Sequence, residues 1–266
     1  MDEDVVVSAE WLAAHRDDPD VVVVDVRDNW EYDGIGHVPG AVNIPFDAFR
    51  AVDADGEGGE GMLPDPDEWR ALLESRGVEP SDTLVAYDDT HGVFAARFLV
   101  TALVMGHERE GELRFLDGDY SAWTREHPVE SGSVEVEESV YEVERPAETP
   151  LVDVAAVAAA VESGAVVVDT RSPEEYAEGH VPGAVNLDWR ELVDEESRGL
   201  KPREAVEAVL ASKGVERGEE IVLYCNTARR ISHTYVVLRW LGFEDVAFFE
   251  GSMTAWEAAG RPTERN

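Results

Sequence analysis

The chain has 266 residues, 44% of them apolar, which is enough to form a hydrophobic core in each of two domains. Its net charge of -36, from 58 acidic and 22 basic residues, argues against nucleic acid and anionic membranes as partners. The single cysteine excludes an internal disulfide and a multi-cysteine metal site, and we expect neither a metal nor another cofactor.

The N-terminal residues do not resemble a targeting segment. The opening MDEDVVVSAEW lacks the basic and apolar character of a signal peptide, and no apolar run approaches the roughly 20 residues that a membrane-spanning helix needs. The acidic residues are spread between periodic apolar segments instead of forming one block, as they would in a disordered tail. We therefore expect a folded protein in the cytoplasm, without a membrane partner. A monomer is our expectation for its oligomeric state, although the residues do not specify it.

The first half of the chain contains three blocks that return later. They are DVRDNWEYDGIGHVPGAVNIP at 25–45, LVAYD at 84–88 and FLDGDYSAW at 115–123. The acidic, glycine-rich stretch DADGEGGEG at 53–61 has no later counterpart and predicts a surface loop. We assign residues 1–127 to a first domain.

A segment without helical period separates the two halves. It is rich in Pro, Ser and Glu, although SVEVEESVYEV within it alternates as an extended segment does. We therefore predict a linker at 128–150 and a second domain at 151–266.

The second half alternates predicted helices and strands. A helix ends at Gly164, the buried strand AVVVDT follows, and Ser172, Pro173 and Glu175 form a capping-box start for a short helix. The remaining elements are REAVEAVLASKG (helix), EIVLY (strand), ISHTYVVLRWLG (helix), DVAFF (strand) and SMTAWEAAG. Strands joined by helices predict an α/β fold with a mainly parallel sheet flanked by helices. Functional sites in such sheets lie beyond the carboxyl ends of the strands.

The second half repeats the first. DTRSPEEYAEGHVPGAVNLD at 169–188 matches the block at 25–45, IVLYC at 221–225 matches LVAYD, and FFEGSMTAW at 248–256 matches FLDGDYSAW. Three blocks in the same order, about 140 residues apart, indicate two tandem copies of one domain. The residue of the first half that matches Cys225 is Asp88.

The segment around the single cysteine predicts an anion-binding loop. Cys225 follows a buried strand directly and precedes a helix, in IVLYCNTARRISHTY. Such a loop can direct backbone N–H groups inward, and the helix adds its positive N-terminal end. Helix N-termini and arginines favour the thiolate form of cysteine, and Arg229 and Arg230 supply positive charge here. The alternatives are a small buried apolar role for Cys225 and surface ion pairs for the two arginines.

These motifs resemble the rhodanese sulfurtransferases. The likeness rests on the repeated D-x-R, E-Y and G-H-V-P-G-A-V-N, on Y-C-N-T-A-R-R and on F-x-x-G-S-M-T-A-W, and it covers nearly the whole chain. It implies two tandem rhodanese-like domains, of which the second is catalytic and the first, with Asp88 at the cysteine position, is not. It also implies that Cys225 takes sulfur from a small-molecule donor as a persulfide and passes it to a thiophilic acceptor, cyanide or a thiol.

The resemblance also assigns donor-binding residues. Arg171, in D-T-R, matches the arginine that helps to bind the anionic group of the donor. The loop residues expected to form the cradle are Asn226, Thr227, Ala228, Arg229 and Arg230. The sequence leaves open which of the two adjacent arginines faces the site. We interpret the repeated His37 and His180 as turn residues, because both halves carry them and only one half carries the cysteine.

The choice of donor stays open between two family branches. CNTARR matches neither the basic CRKGVT-like loops of thiosulfate-preferring relatives nor the neutral CGSGVT-like loops of 3-mercaptopyruvate-preferring ones, but two arginines favour thiosulfate. A cysteine phosphatase is disfavoured, because Arg230 follows Cys225 after four residues, not the five of Cys-x5-Arg. A non-enzymatic alternative is a relay that hands persulfide sulfur to a protein partner. The acidic, lysine-poor composition resembles that of proteins from salt-loving archaea.

Overall fold

The structure, a computed structural model, describes residues 1, 4–51, 62–107 and 111–265. The chain divides into two compact units: the first comprises the residues up to 147 together with 195–199, and the second comprises 148–194 and the residues from 200 onward. The stretch at 53–61 that we predicted to be a surface loop lies outside the described residues.

The first unit contains a five-stranded sheet. Its strands are β1 (Val6–Val7), β2 (Val21–Asp25), β3 (Val42–Asn43), β4 (Thr83–Tyr87) and β5 (Glu112–Leu116). Its helices are α1 (Ala9–His15), α2 (Asn29–Gly34), α3 (Pro66–Glu74), α4 (Val93–Met105) and α5 (Asp119–Trp123). The strand order is β1-β5-β4-β2-β3, and every neighbouring pair is parallel.

The second unit contains a four-stranded sheet. Its strands are β6 (Val166–Asp169), β7 (Val185–Asn186), β8 (Ile221–Tyr224) and β9 (Val246–Phe248). Its helices are α6 (Val154–Ser163), α7 (Pro173–Glu178), α8 (Arg203–Ser212), α9 (Arg229–Trp240) and α10 (Ser252–Ala258). The strand order is β7-β6-β8-β9, again with parallel neighbours. The predicted α/β fold with parallel sheets is confirmed in both halves.

The burial of the central strands is what this parallel α/β fold requires. All four residues of β8 are buried, and β4 is buried from Leu84 to Tyr87, as expected for strands covered on both faces. Helix α7 begins as the capping box predicts: Ser172 Oγ accepts the backbone N–H of Glu175 at 3.3 Å, and the Glu175 carboxylate accepts that of Ser172 at 3.3 Å. These local choices place the ends of β6 and β8 beside the starts of α7 and α9.

The repeated tryptophans are core residues in both units. Trp123 and Trp256 are 0% and 2% exposed. Each indole N–H donates to the carbonyl of a following proline, Pro128 at 2.9 Å and Pro262 at 2.8 Å. The matched blocks thus adopt matched packing.

Residues 128–147, most of the predicted linker, pack as part of the first unit. Tyr141 is 2% exposed, and its hydroxyl lies 2.9 Å from Nδ1 of the buried His107. The backbone N–H of Ser139 donates to the carbonyl of Glu74 at 3.1 Å. Elsewhere too, no helix among the described residues combines the length and apolar character needed to cross a bilayer.

Candidate active site

Cys225 stands at the carboxyl end of β8, the position where parallel α/β sheets place their functional groups. Its backbone N–H donates to Ser252 Oγ at 3.0 Å, and its carbonyl accepts the N–H of Met253 at 3.0 Å. Ser252 Oγ lies 3.9 Å from the cysteine sulfur. The start of α10 therefore fixes Cys225, which is only 1% exposed.

The four residues 225–228 form a tight loop between β8 and α9. Ala228 takes a left-handed conformation with φ of 68°, and α9 begins at the next residue. Within the described part of the chain, the backbone N–H groups of Asn226, Thr227 and Ala228 donate no hydrogen bond to a protein acceptor. Together with the positive end of α9, they form a nest suited to an anion.

The two adjacent arginines differ in orientation. Arg229 is exposed, whereas Arg230 is partly buried and donates two hydrogen bonds to the carboxylate of Glu175. Burial opposes the charge of Arg230, but its hydrogen bonds to Glu175 and the attraction of Cys225 outweigh that effect, so the pKa of Arg230 is raised. Arg230 is therefore the arginine that acts electrostatically on the cysteine.

Arg171 is held by the carboxylate at the end of β6. Its Nε and Nη2 donate to Asp169, the Nη2 bond measuring 2.6 Å, and Nη2 also donates to the carbonyl of Gly179 at 2.6 Å. Burial lowers the pKa of Arg171, but Asp169 more than compensates, and the net shift is upward. Its remaining terminal nitrogen, Nη1, lies 3.5 Å from Asn226 Oδ1, so Asp169 aims the guanidinium at the cysteine loop.

Glu175 and Asn226 connect the two arginines. Asn226 Nδ2 donates to Glu175 Oε1 at 2.7 Å, while Asn226 Oδ1 faces Arg171. The hydrogen bonds from Arg230 lower the pKa of Glu175 to about 2, so this carboxylate is ionised throughout the neutral range. The resulting network places two guanidinium groups and two carboxylates around the cysteine loop.

An open pocket of about 560 Å³ adjoins this network. The residues that line it are Arg171, Glu175, Glu178, Gly179, Asn226, Glu257 and Arg265. Cys225 directly precedes Asn226 in the chain and is buried. A small donor in this pocket would therefore meet Arg171 and Asn226 before the sulfur.

The repeated histidines, which we interpreted as turn residues, lie in isolated antiparallel bridges directly before the turns, His37 with Glu130 and His180 with Glu264. His180 Nδ1 donates to the carbonyl of Tyr176 at 2.8 Å, and the imidazole stacks on the Tyr176 ring with 3.8 Å between the ring centres. His37 stacks on Tyr32 at 3.7 Å in the same way. Neither arrangement depends on the presence of a cysteine.

The matching loop of the first unit is filled by its own side chain. Asp88 is 1% exposed, and its carboxylate accepts four backbone N–H groups, at 2.7 to 3.1 Å, from Thr90, Gly92, Phe94 and Ala95. Burial raises the pKa of Asp88, and these hydrogen bonds act in the opposite direction. The fold thus wraps this loop around a carboxylate.

Two residues of the site were not predicted from the sequence. Glu175 was interpreted only as a helix cap, and Ser252 only as part of the last repeated block. A useful signal existed for Ser252, because the repeat aligns it with Asp119, another polar residue at the start of a helix.

Among the described residues, no group of three or more His, Cys, Asp or Glu side chains is arranged to hold a metal ion.

Comparison with known proteins gives consistent matches. The rhodanese-like domain family matches this chain twice, at residues 8–126 and at residues 153–259. A thiosulfate sulfurtransferase of Corynebacterium glutamicum is 30% identical over 94% of this chain and 87% of that protein. The sulfur carrier protein TtuD of Thermus thermophilus is 29% identical over 95% of this chain and 93% of that protein.

A solved structure agrees with these matches. The crystal structure of the 3-mercaptopyruvate sulfotransferase SseA from Escherichia coli superposes with a TM-score of 0.81 at 26% identity, covering 93% of this chain and 98% of that one. Both halves of the chain therefore have the fold and sequence pattern of the same family. The protein belongs to the rhodanese-like family and contains two tandem copies of its domain.

Proposed function

We propose that the protein is a sulfurtransferase that accepts the sulfane sulfur of thiosulfate on Cys225 and transfers it to a thiophilic acceptor. The observation that carries the proposal is the single cysteine in the loop between β8 and α9, whose charge interacts with Arg230 and whose next residue, Asn226, lines a pocket together with Arg171. A relative similar over nearly the whole chain is named thiosulfate sulfurtransferase, which supports the same donor.

The chemistry is covalent catalysis in two steps. The Cys225 thiolate attacks the outer sulfur of thiosulfate, the S–S bond breaks, and sulfite leaves with the bonding electron pair. Cyanide or an acceptor thiolate then attacks the terminal sulfur of the Cys225 persulfide. Thiocyanate or an acceptor persulfide leaves, and the Cys225 thiolate is regenerated. The two steps balance without an external oxidant or reductant.

The surrounding residues have distinct roles in this proposal. Arg171, aimed by Asp169, binds the sulfonate end of the donor together with Asn226. The backbone N–H groups of residues 226–228 and the N-terminal end of α9 stabilise negative charge on the cysteine sulfur. Because Cys225 is 1% exposed and Asn226 lines the pocket, this proposal requires the outer sulfur of the donor to pass Asn226 to reach the cysteine.

Steady-state kinetics test the proposal. In high salt, thiosulfate and cyanide should give thiocyanate with the parallel double-reciprocal lines of a ping-pong mechanism, and Cys225→Ser should lose the activity. Intersecting lines, or turnover in the Cys225→Ser variant, would contradict a persulfide on this residue.

A relay function is the second candidate, because the Thermus thermophilus relative is named a sulfur carrier protein. A carrier would form the Cys225 persulfide but would turn over slowly with cyanide or small thiols, and quickly with a sulfur-accepting protein. The donor 3-mercaptopyruvate is the alternative to thiosulfate, in line with the name of the Escherichia coli structure. A monomeric state and a cytoplasmic location complete the proposal.

A further inference from the structure

The site has less uncompensated positive charge than its number of arginines suggests. A guanidinium binds an anion best through a pair of parallel N–H groups. In Arg230 the pair formed by Nη1 and Nη2 is already used, because both groups donate to the two oxygens of Glu175. In Arg171 the pair formed by Nε and Nη2 is used by Asp169. The charge of each of these two arginines is thus largely balanced by a carboxylate, and of the two it is Arg171 that lines the pocket.

Glu175 differs from Asp169 in its exposure to the pocket. Asp169 is fully buried under Arg171, whereas Glu175 is partly exposed and lines the pocket itself. Glu178 and Glu257 line the same pocket and add negative charge, which Arg265 in the lining offsets in part. A donor that enters the pocket therefore meets an ionised carboxylate, and the same carboxylate binds Arg230, whose charge interacts with the cysteine.

We infer that Glu175 is a specificity-determining residue: its carboxylate occupies Arg230 and lowers the preference of the site for dianionic over monoanionic sulfur donors. The inference rests on the proposed function and names how that site selects its donor. Thiosulfate carries two negative charges and 3-mercaptopyruvate one, so a fixed charge in the pocket disfavours the first more than the second. Removing the charge should change their ratio, not only their common rate.

The helix cap makes a clean substitution available. Glu175 also accepts the backbone N–H of Ser172, and glutamine serves equally well at this position of a capping box. Glu175→Gln therefore keeps the start of α7, while it removes the charge and one of the two acceptor oxygens that bind Arg230 and Asn226. Because the pKa of Glu175 is about 2, acidifying the assay cannot substitute for this variant.

The test compares kcat/KM for thiosulfate and for 3-mercaptopyruvate, with cyanide as acceptor, in the wild type and in Glu175→Gln. We expect the ratio of thiosulfate to 3-mercaptopyruvate to rise about fivefold, the size of one charge interaction at close range in solvent. Glu174→Gln is the matched control, because it removes the same charge from the neighbouring, fully exposed side chain and should leave the ratio within about twofold.

Glu175→Asp separates charge from hydrogen bonding. The shorter carboxylate keeps its charge in the pocket while weakening the contact with Arg230, so the donor ratio should stay near the wild-type value even if both rates fall. An unchanged ratio in Glu175→Gln, or equal losses with both donors, would overturn the inference and leave Glu175 as a structural residue. If the wild type forms no Cys225 persulfide with either donor, the proposed function fails, and the inference fails with it.

Discussion

The loop after β4 and the loop after β8 occupy the same place in their units, but they hold different groups. In the first unit, Asp88 fills the loop with its own carboxylate and satisfies four backbone N–H groups. In the second, Cys225 leaves neighbouring N–H groups without a protein acceptor among the described residues. The comparison teaches that one fold can either close this nest on itself or keep it for an external anion.

The surroundings of the two loops differ in a second way. Tyr120 stands where the second unit has Met253, and the guanidinium of Arg27 lies 3.5 Å from the centre of its ring. Arg27 is the counterpart of Arg171 and is bound by Asp25 in the same manner. The first unit thus keeps the aspartate and arginine pair but covers the arginine with an aromatic ring.

The largest effect should come from moving the cysteine between the loops. The double variant Cys225→Ser with Asp88→Cys places the only thiol in the first unit, and we expect sulfur transfer to fall by several orders of magnitude. The reason is that Tyr120 covers Arg27, so a thiol at position 88 has no donor-binding arginine available. Thiocyanate formation measures the outcome. Activity above one tenth of the wild type would show that the loops are interchangeable.

The next effect concerns the stability of the first unit. Asp88→Ala removes the acceptor of four backbone N–H groups in a buried loop, and we expect the free energy of unfolding to fall by about 3 kcal/mol. Chemical denaturation measures the loss. Cys225→Ala is the control in the equivalent loop and should cost about 1 kcal/mol, because its side chain accepts no comparable set. Equal losses would contradict the distinction between the loops.

Acid should weaken the first unit in a pH range where Glu175 of the second is unaffected. Burial lowers the pKa of His107 to about 4 from 6.5, so the folded state binds fewer protons and stability falls as the pH drops from about 6.5 to about 4, by about 1.4 kcal/mol per pKa unit. Glu175, with its pKa lowered to about 2, loses its stabilising effect only below about pH 4.5. Denaturation of the wild type should therefore give a lower free energy of unfolding at about pH 5 than at about pH 7.

His107→Gln provides the control for that pH dependence. Glutamine does not titrate, so the part of the stability loss between about pH 6.5 and about pH 5 that belongs to His107 should disappear. A variant with the same pH dependence as the wild type would show that another group is responsible.

A smaller effect distinguishes the donor-binding role of Arg171 from the structural role of its counterpart, Arg27. Arg171→Ala should raise the KM for thiosulfate about tenfold, because one charge-assisted contact to the donor is lost. Cys225 should stay reactive toward a neutral alkylating agent. Arg27→Ala removes the cationic partner of the buried Asp25 just as Arg171→Ala removes that of Asp169, so both variants should lose stability, but only Arg171→Ala should change KM. A change of KM in both variants would sink the assignment of Arg171.

Much of this difference between the loops could be predicted from the sequence. The repeat aligned Asp88 with Cys225, and the alternation of apolar runs with helical segments predicted the parallel sheets. Local rules also predicted the cap at Ser172 and the end of α6 at Gly164, because these depend on neighbouring residues alone.

The unpredicted part depends on contacts between distant segments. Nothing near Glu175 in the sequence indicates that it meets Arg230, 55 residues later. The choice between Arg229 and Arg230 depends on the rotation of α9, which the adjacent letters do not specify. Tyr141 lies in a segment that we predicted to be a linker, and its contact with His107 likewise attaches that segment to the first unit.

The central claim is that sulfur binds once per chain, on Cys225. The protein should be incubated with thiosulfate and its intact mass measured before and after treatment with a reducing agent, with Cys225→Ser and Asp88→Cys analysed beside it. We predict one added sulfur in the wild type and in Asp88→Cys, removed by the reductant, and none in Cys225→Ser. Equal sulfur loading in Cys225→Ser, or a second sulfur in Asp88→Cys, would contradict the account.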